Sequence, residues 1–221
     1  SLGRIVYYTN VGLPYQDEIT ARTEKETLVF LHGFGGGSSA YEWSKVYPAF
    51  AAEYRIIAPD LLGWGKSEHP ARNYQIDDYT TTIREFLEQT CTEPVTVIAS
   101  SLTAALTIRV AIAHPDLFKS LILTLPAGLS DFGEDYSRSI FAQIVSVPIV
   151  DRLLYTTGIA TSSGIRSFLE QRQFAESSRV YEEIVEAYLE SARQTNAEYV
   201  ALELPAVTIG LIRRFLPLLS S

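Results

Sequence analysis

The chain has 221 residues, of which 47% are apolar and 20% are charged, with one cysteine and no methionine. This length predicts one domain, or one domain that carries an insertion, and a core of that size needs no disulfide or metal to stabilise it. The 18 basic and 26 acidic residues give a net charge of −8, which argues against nucleic acid or an anionic membrane as the main partner.

Single features of the sequence exclude further classes of protein. Cys91 is the only cysteine, which rules out an internal disulfide framework and favours a reducing, cytoplasmic compartment. No apolar run reaches the roughly 18 residues of a membrane span. The N-terminus also lacks the basic and then apolar composition of a secretory signal. Because the sequence begins at Ser1 and has no methionine, either the protein avoids methionine or a part of it is absent from this sequence.

The first 125 residues alternate strand and helix signals. Runs of β-branched and apolar residues predict strands at 4–9, 27–31, 54–58, 95–98 and 121–125, and periodic stretches predict helices at 41–52, 76–89 and 102–113. This alternation indicates an α/β protein with a mainly parallel central sheet flanked by helices. Ligands bind beyond the carboxyl ends of such strands, so the residues that follow each strand are the candidate functional residues.

Residues 132–199 contain no convincing strand and fit helices at 137–145, 150–155, 164–173 and 179–192. A connection of 68 residues is too long for a single crossover, so we favour a helical cap inserted after the strand at 121–125. Pro205 is predicted to begin a last helix. The predicted units are a core at 1–131, a cap at 132–199 and a C-terminal core helix at 200–221.

The strongest motif is a serine at a strand-to-helix turn. Residues 97–105 read Val-Ile-Ala-Ser-Ser-Leu-Thr-Ala-Ala. A serine hydroxyl at such a turn projects into the ligand crevice, and the N–H groups of the following helix can bind a developing oxyanion. Ser100 or Ser101 fits a helix N-cap equally well, so this segment alone does not decide between the two roles.

Two glycine-rich loops follow neighbouring predicted strands. Residues 32–37 read His-Gly-Phe-Gly-Gly-Gly and lack the pattern of a phosphate-binding loop, and residues 60–67 read Asp-Leu-Leu-Gly-Trp-Gly-Lys-Ser. With the serine motif, in this order and spacing, they resemble the motifs of the α/β-hydrolase superfamily. The resemblance covers residues 26–128 and is to the lid-bearing group of small esterases and C–C bond hydrolases.

The resemblance implies that Ser101 is the nucleophile and that the backbone N–H groups of Phe34 and Leu102 form the oxyanion hole. Dehalogenases and epoxide hydrolases of the superfamily carry Asp at the nucleophile position, and Ser101 argues against both. The implied activity is hydrolysis of a small apolar ester or related acyl substrate through an acyl-enzyme, without metal or cofactor. Substrate-binding residues and oligomeric state are not implied. Aromatic residues of the predicted cap belong more often to a core than to a pocket: Phe141, Tyr155, Phe168 and Phe174.

The sequence departs from the superfamily in two ways. Ala99 and Thr103 replace the glycines of the Gly-x-Ser-x-Gly motif. The acid and the histidine of the superfamily follow the cap, whereas the histidines of this chain are His32, His69 and His114. The strand–helix units expected between the cap and the last helix are absent as well. The C-terminal strands, which would carry the acid and the base, are therefore not found in this sequence.

Three explanations of the missing base stay open, in order of preference. The first is that the segment with the acid and base is absent from this sequence. The second is that the protein is a catalytically inactive module that binds an apolar ligand or a protein partner. The third is that His69, oriented by Asp131, serves as the base. A structural role is favoured for all three histidines.

Overall fold

The computed structural model describes residues 2–10, 25–126 and 155–201. Their strands form one five-stranded sheet in the order β1-β3-β2-β4-β5, in which β1 is antiparallel to β3 and all other neighbours are parallel. The strands are β1 (Tyr7–Thr9), β2 (Thr27–Leu31), β3 (Arg55–Pro59), β4 (Val95–Ser100) and β5 (Phe118–Thr124). The predicted α/β class with a mainly parallel sheet is confirmed.

The centre of the sheet is covered on both faces. Val29 of β2 pairs with Ile57 of β3 on one side and with Val97 of β4 on the other, and all three side chains are fully buried. This explains the continuous apolar runs, since strands of a parallel sheet bury both faces. The same register brings the carboxyl ends of β2, β3 and β4 to one edge of the sheet.

The helices of the first half follow the predictions except between β2 and β3. Residues 41–52 form no α-helix, but two 3₁₀ turns, Ala40–Trp43 and Tyr47–Phe50. Pro48 lies in the second turn and has no N–H to donate, which prevents one continuous helix. The longer elements are α1 (Ile76–Thr90) and α2 (Ser101–Ala113), with a 3₁₀ turn at Pro115–Leu117.

Residues 155–201, which we call the helical segment, contain no strand and have a hydrophobic cluster of their own. That cluster buries Ile165, Leu169 and Val185, and Tyr41 of the first half packs against it. The segment comprises a π turn at Tyr155–Ile159, α3 (Ser162–Phe168), a π turn at Leu169–Gln173, a 3₁₀ turn at Ser177–Arg179 and α4 (Glu182–Ala192).

Several predictions fall outside the described residues. They are Asp131, Phe141, the helix predicted at 137–145, all of the helix predicted at 150–155 except Tyr155, and the helix predicted to begin at Pro205. Of the predicted cap, the structure describes residues 155–199.

The exposed surface includes the edge of the sheet at β5. Ile122 is 53% exposed and Leu125, directly after the strand, is 91% exposed. Across residues 2–10, 25–126 and 155–201, no helix has both the length and the apolar character needed to cross a membrane.

Candidate active site

Ser101 occupies a strained position at the carboxyl end of β4. It is the first residue of α2 and has a φ of 54°, in the left-handed region. A non-glycine residue in such a conformation costs on the order of 1–3 kcal/mol. Ser100 is the N-cap residue, but its side chain makes no capping hydrogen bond. The chain therefore turns sharply into the helix at Ser101, whose side chain is half-buried.

The first glycine-rich loop passes directly over this turn. A Cβ atom at Gly33 would lie 3.2 Å from Ser100 Oγ and 3.5 Å from Ser101 Cβ. The N–H of the next residue, Phe34, donates to no other described residue. The N–H of Leu102 belongs to the first turn of α2, whose N–H groups have no partner within the helix. The structure thus brings the predicted nucleophile and the loop of the predicted oxyanion hole together.

Aromatic packing fixes the side chain of Phe34. Its ring stacks on that of Trp64 with centroids 5.3 Å apart and meets Tyr79 edge-on at 4.6 Å. All three side chains are buried. Because Trp64 belongs to the second glycine-rich loop, this contact holds the two loops together.

Thr103 replaces a glycine of the superfamily motif and forms a contact that glycine cannot make. Its side chain is fully buried, and Oγ1 donates to the carbonyl oxygen of His32 at 2.6 Å. This hydrogen bond joins the first turn of α2 to the loop at 32–37. The turn at Ser101 therefore forms with a β-branched residue in place of glycine.

His32 has a structural role, as expected. It is fully buried, and Nδ1 lies 2.7 Å from the carbonyl oxygen of Gly33, while Nε2 accepts from the N–H of Leu61 at 3.0 Å. These partners require the proton to be on Nδ1. Both ring nitrogens are engaged, so His32 is not free to act as a base.

His69 and His114 also do not pair with the Ser101 hydroxyl. His69 Nε2 donates to the carbonyl oxygen of Gly65 at 3.0 Å, and burial lowers the pKa of its imidazole. His114 follows the last residue of α2, which at 1.5 Å per residue places it about 20 Å from Ser101. All three histidines of the chain are described, and none pairs with Ser101.

The Asp60 carboxylate organises the second glycine-rich loop. It accepts from the N–H of Ala40 at 2.7 Å and from the N–H of Lys66 at 2.8 Å. At Gly65, whose φ is 53°, a Cβ atom would lie 2.2 Å from Asp60 Cγ. Only glycine fits there, and the buried carboxylate is occupied by backbone groups.

A cavity of about 170 Å³ opens beside Asp60. Burial, followed by the negative charge of Asp60, raises the pKa of Tyr8 at its wall to about 12. The residues that line the cavity include Tyr8, Tyr47, Lys66, Glu190 and Gln194, but not Ser101. No pattern in the sequence indicates this cavity, because its walls come from segments more than 100 residues apart.

The helical segment approaches the first glycine-rich loop so closely that side chains would collide there. A Cβ atom at any of the last three glycines of the loop would lie less than 3 Å from the helical segment. The distances are 2.9 Å from Gly35 to the Phe168 ring, 2.8 Å from Gly36 to Ile159 Cγ2 and 2.2 Å from Gly37 to the carbonyl oxygen of Tyr188. These glycines therefore provide close packing.

Sequence reasoning missed Glu42, which also contacts the loop. Its Oε2 accepts from the N–H of Gly33 at 2.8 Å. One glutamate among 26 acidic residues carries no pattern that would distinguish it. In the part of the chain that the structure describes, no group of three or more His, Cys, Asp or Glu residues is arranged to hold a metal ion.

About half of the chain is similar in sequence to a known family and to individual proteins. A family model described as alpha/beta hydrolase fold matches residues 26–139, just over half of the chain. An uncharacterized protein of Mycobacterium tuberculosis is 32% identical over 103 residues, which are 47% of this chain and 30% of that protein. The 2-hydroxymuconate semialdehyde hydrolase of a Pseudomonas species is 35% identical over 108 residues, covering 47% of this chain and 37% of that enzyme.

The fold also matches solved structures. That of the epoxide hydrolase CorEH without ligand aligns with a TM-score of 0.71 at 23% identity, covering 96% of this chain and 74% of that chain. At this identity the likeness concerns the fold. The chain spans only 30% and 37% of the length of the two sequence relatives.

Proposed function

This chain belongs to the α/β-hydrolase fold family, and we propose that it is a hydrolase in which Ser101 is the nucleophile. The observation that carries the proposal is the φ of 54° at Ser101, between β4 and α2. Strained backbone of this kind persists where the surrounding structure enforces it, and it is concentrated at active sites. In a strand-to-helix elbow, the strain serves to project the nucleophile from the edge of the sheet.

The proposed oxyanion hole consists of the N–H groups of Phe34 and Leu102. It is supported by the closeness of Gly33 to the Ser101 turn and by the lack of another described partner for the Phe34 N–H. When Ser101 Oγ attacks a carbonyl carbon, the carbonyl oxygen becomes an oxyanion between these two donors. Removal of one such donor typically costs about 2.7–4 kcal/mol of transition-state stabilisation.

The reaction requires a base that accepts the proton of Ser101. In the proposed sequence the base takes this proton, the acyl–oxygen bond of the tetrahedral intermediate breaks, and the base protonates the leaving alcohol. Water then hydrolyses the acyl-enzyme. None of His32, His69 and His114 pairs with Ser101, so we expect the base to be a group other than these three histidines.

The proposed substrate is a small, rather apolar ester or a related acyl compound, including one cleaved at a C–C bond next to a carbonyl. The likeness to a 2-hydroxymuconate semialdehyde hydrolase supports this class. We propose that the helical segment belongs to a cap at 132–199, because it packs on the loop beside Ser101. A reducing, cytoplasmic compartment is consistent with Cys91 as the sole cysteine.

A fluorophosphonate probe tests the nucleophile. We expect the full-length protein to be labelled at Ser101, with labelling abolished in Ser101→Ala and retained in the matched control Ser100→Ala. Peptide mapping of the adduct identifies the modified residue. No adduct, or an adduct that persists in Ser101→Ala, would refute the proposed mechanism.

The second candidate function is a catalytically inactive module that binds an apolar ligand or a protein partner. It is favoured by one observation, namely that no histidine of the chain pairs with Ser101. Turnover of p-nitrophenyl esters distinguishes the two functions. Turnover by the full-length protein that is lost in Ser101→Ala excludes the inactive module, and an intact mass of 24.6 kDa without turnover supports it.

A further inference from the structure

We propose that Glu42 is a positioning residue for the oxyanion hole. The proposal rests on the proposed function of Ser101 and Phe34. It assigns to a carboxylate outside the glycine-rich loop a role in setting the geometry of the reaction.

The first step concerns the peptide group between Gly33 and Phe34. The carbonyl oxygen and the N–H of one peptide lie in a single plane and point in opposite directions. His32 Nδ1 lies 2.7 Å from the Gly33 carbonyl oxygen and so fixes the plane that contains the Phe34 N–H. The preceding N–H, that of Gly33, is held by Glu42 Oε2 at 2.8 Å. Contacts therefore restrain both the N–H and the carbonyl group of Gly33, although glycine has the most flexible backbone of all residues.

The second step concerns the position of Glu42 in the chain. It lies in the 3₁₀ turn Ala40–Trp43, which begins six residues after Phe34. The Gly33 N–H thus donates to a carboxylate in the turn that follows the loop. A hydrogen bond to a charged acceptor is stronger than one between neutral groups, so it restrains the loop more firmly than the backbone contacts of a turn.

The third step concerns the surroundings of Glu42. Burial, followed by the negative charge of Glu42, raises the pKa of the Tyr188 hydroxyl in α4 well above its ordinary value. The backbone of Tyr188 contacts Gly37, where a Cβ atom would lie 2.2 Å from the Tyr188 carbonyl oxygen. The helical segment therefore packs on the loop that Glu42 restrains.

These contacts predict that the position of the Phe34 N–H depends on a single carboxylate. Substitution of Glu42 by alanine removes the acceptor of the Gly33 N–H. The peptide group between Gly33 and Phe34 then keeps only the contact of His32 Nδ1 with the Gly33 carbonyl oxygen.

The test uses the rate at which a fluorophosphonate labels Ser101 in the full-length protein. We expect Glu42→Ala to lower this rate about tenfold or more, a fraction of what the loss of an oxyanion donor costs. Glu42→Gln keeps an acceptor oxygen for Gly33 and is expected to stay within about threefold of the wild type.

The matched control is Glu183→Ala. Glu183 also joins the two halves of the chain, because its carboxylate pairs with Lys45 at 2.6 Å and accepts from the Tyr41 hydroxyl at 3.3 Å. It contacts no residue of the glycine-rich loop among its described partners. A labelling rate unchanged in Glu183→Ala therefore separates the effect of Glu42 from a general loosening of this interface.

Hydrogen exchange of the Gly33 amide provides a readout that does not depend on activity. We expect faster exchange in Glu42→Ala and wild-type exchange in Glu42→Gln and Glu183→Ala. Unchanged exchange of the Gly33 amide in Glu42→Ala, or a labelling rate of that variant within about threefold of the wild type, would overturn the positioning role. A wild-type protein that is not labelled at Ser101 would instead overturn the proposed function, and this inference with it.

Discussion

The hydroxyl of Thr103 donates a hydrogen bond of 2.6 Å to the carbonyl oxygen of His32. The two residues are 71 positions apart and are both fully buried. The bond connects the helix that follows the proposed nucleophile to the loop of the proposed oxyanion hole. Thr103, which stands in place of the second glycine of the Gly-x-Ser-x-Gly motif, thus helps to hold the serine motif and the first glycine-rich loop together.

Replacement of Thr103 by valine is expected to destabilise the protein. Valine has the same shape but no hydroxyl, so the buried carbonyl of His32 loses its donor, at a cost of about 1–3 kcal/mol. Thr103→Ser keeps the donor and loses one methyl group, at a cost of about 0.8 kcal/mol. Urea unfolding monitored by circular dichroism measures both. If Thr103→Ser proves the less stable of the two, the hydrogen bond is not the dominant contribution.

Replacement of Ser101 by glycine is expected to give a more stable protein than replacement by alanine. Glycine adopts a φ of 54° without the clash of a Cβ atom, so the strain is relieved, and we expect a difference of about 1 kcal/mol. Helix propensity alone favours alanine over glycine and predicts the opposite order. Thermal unfolding of Ser101→Gly and Ser101→Ala decides between the two. Both variants lack the hydroxyl, so neither should be labelled by a fluorophosphonate.

Apolar runs in the sequence predicted the sheet accurately. The strand at 27–31 has the predicted bounds, because an interior strand of a parallel sheet is apolar on both faces and ends where a glycine-rich loop begins. At the edges the signal is weaker. β1 is confined to Tyr7–Thr9, and β5 begins at Phe118, three residues before its apolar run.

Of the candidate site, the sequence predicts only the residues that lie in short, continuous motifs. Ser101 and Phe34 lie in short motifs at the ends of strands, and such motifs can be found by reading along the sequence. The contact from Glu42 to Gly33 and the hydrogen bond from Thr103 to His32 join side chains to backbone groups. Backbone acceptors and donors leave no trace in the sequence, so these contacts require the three-dimensional structure.

Substitution of Gly37 is expected to separate the helical segment from the loop. A Cβ atom there would lie 2.2 Å from the Tyr188 carbonyl oxygen, and the φ of 84° is itself strained for any other residue, by about 1–3 kcal/mol. Gly37→Ala should therefore be destabilised by more than this strain alone. Limited proteolysis should also cleave the helical segment faster.

Gly158→Ala is the matched control for Gly37→Ala. Gly158 lies in the helical segment, and a Cβ atom there would have no other atom within 4 Å. We expect its stability to stay within about 0.5 kcal/mol of the wild type, as for a typical surface substitution. Equal losses in the two variants would mean that the close contact with Tyr188 does not determine the stability of this interface.

His69 is expected to make the stability of the protein depend on pH between its folded-state pKa and the ordinary value of about 6.5. Burial lowers the pKa of this imidazole in the folded state, so the unfolded chain binds the proton more readily. The stability that the neutral ring contributes is complete above the ordinary pKa and is lost as the pH falls through the folded-state value.

The variant His69→Gln isolates this contribution, because a glutamine amide can still donate to the Gly65 carbonyl but does not titrate. We expect urea unfolding to show a steeper loss of stability below pH 6.5 for the wild type than for His69→Gln. An NMR titration should give His69 a pKa below that of an exposed histidine. A pKa at or above 6.5 would mean that burial does not govern the ionisation of this ring in solution.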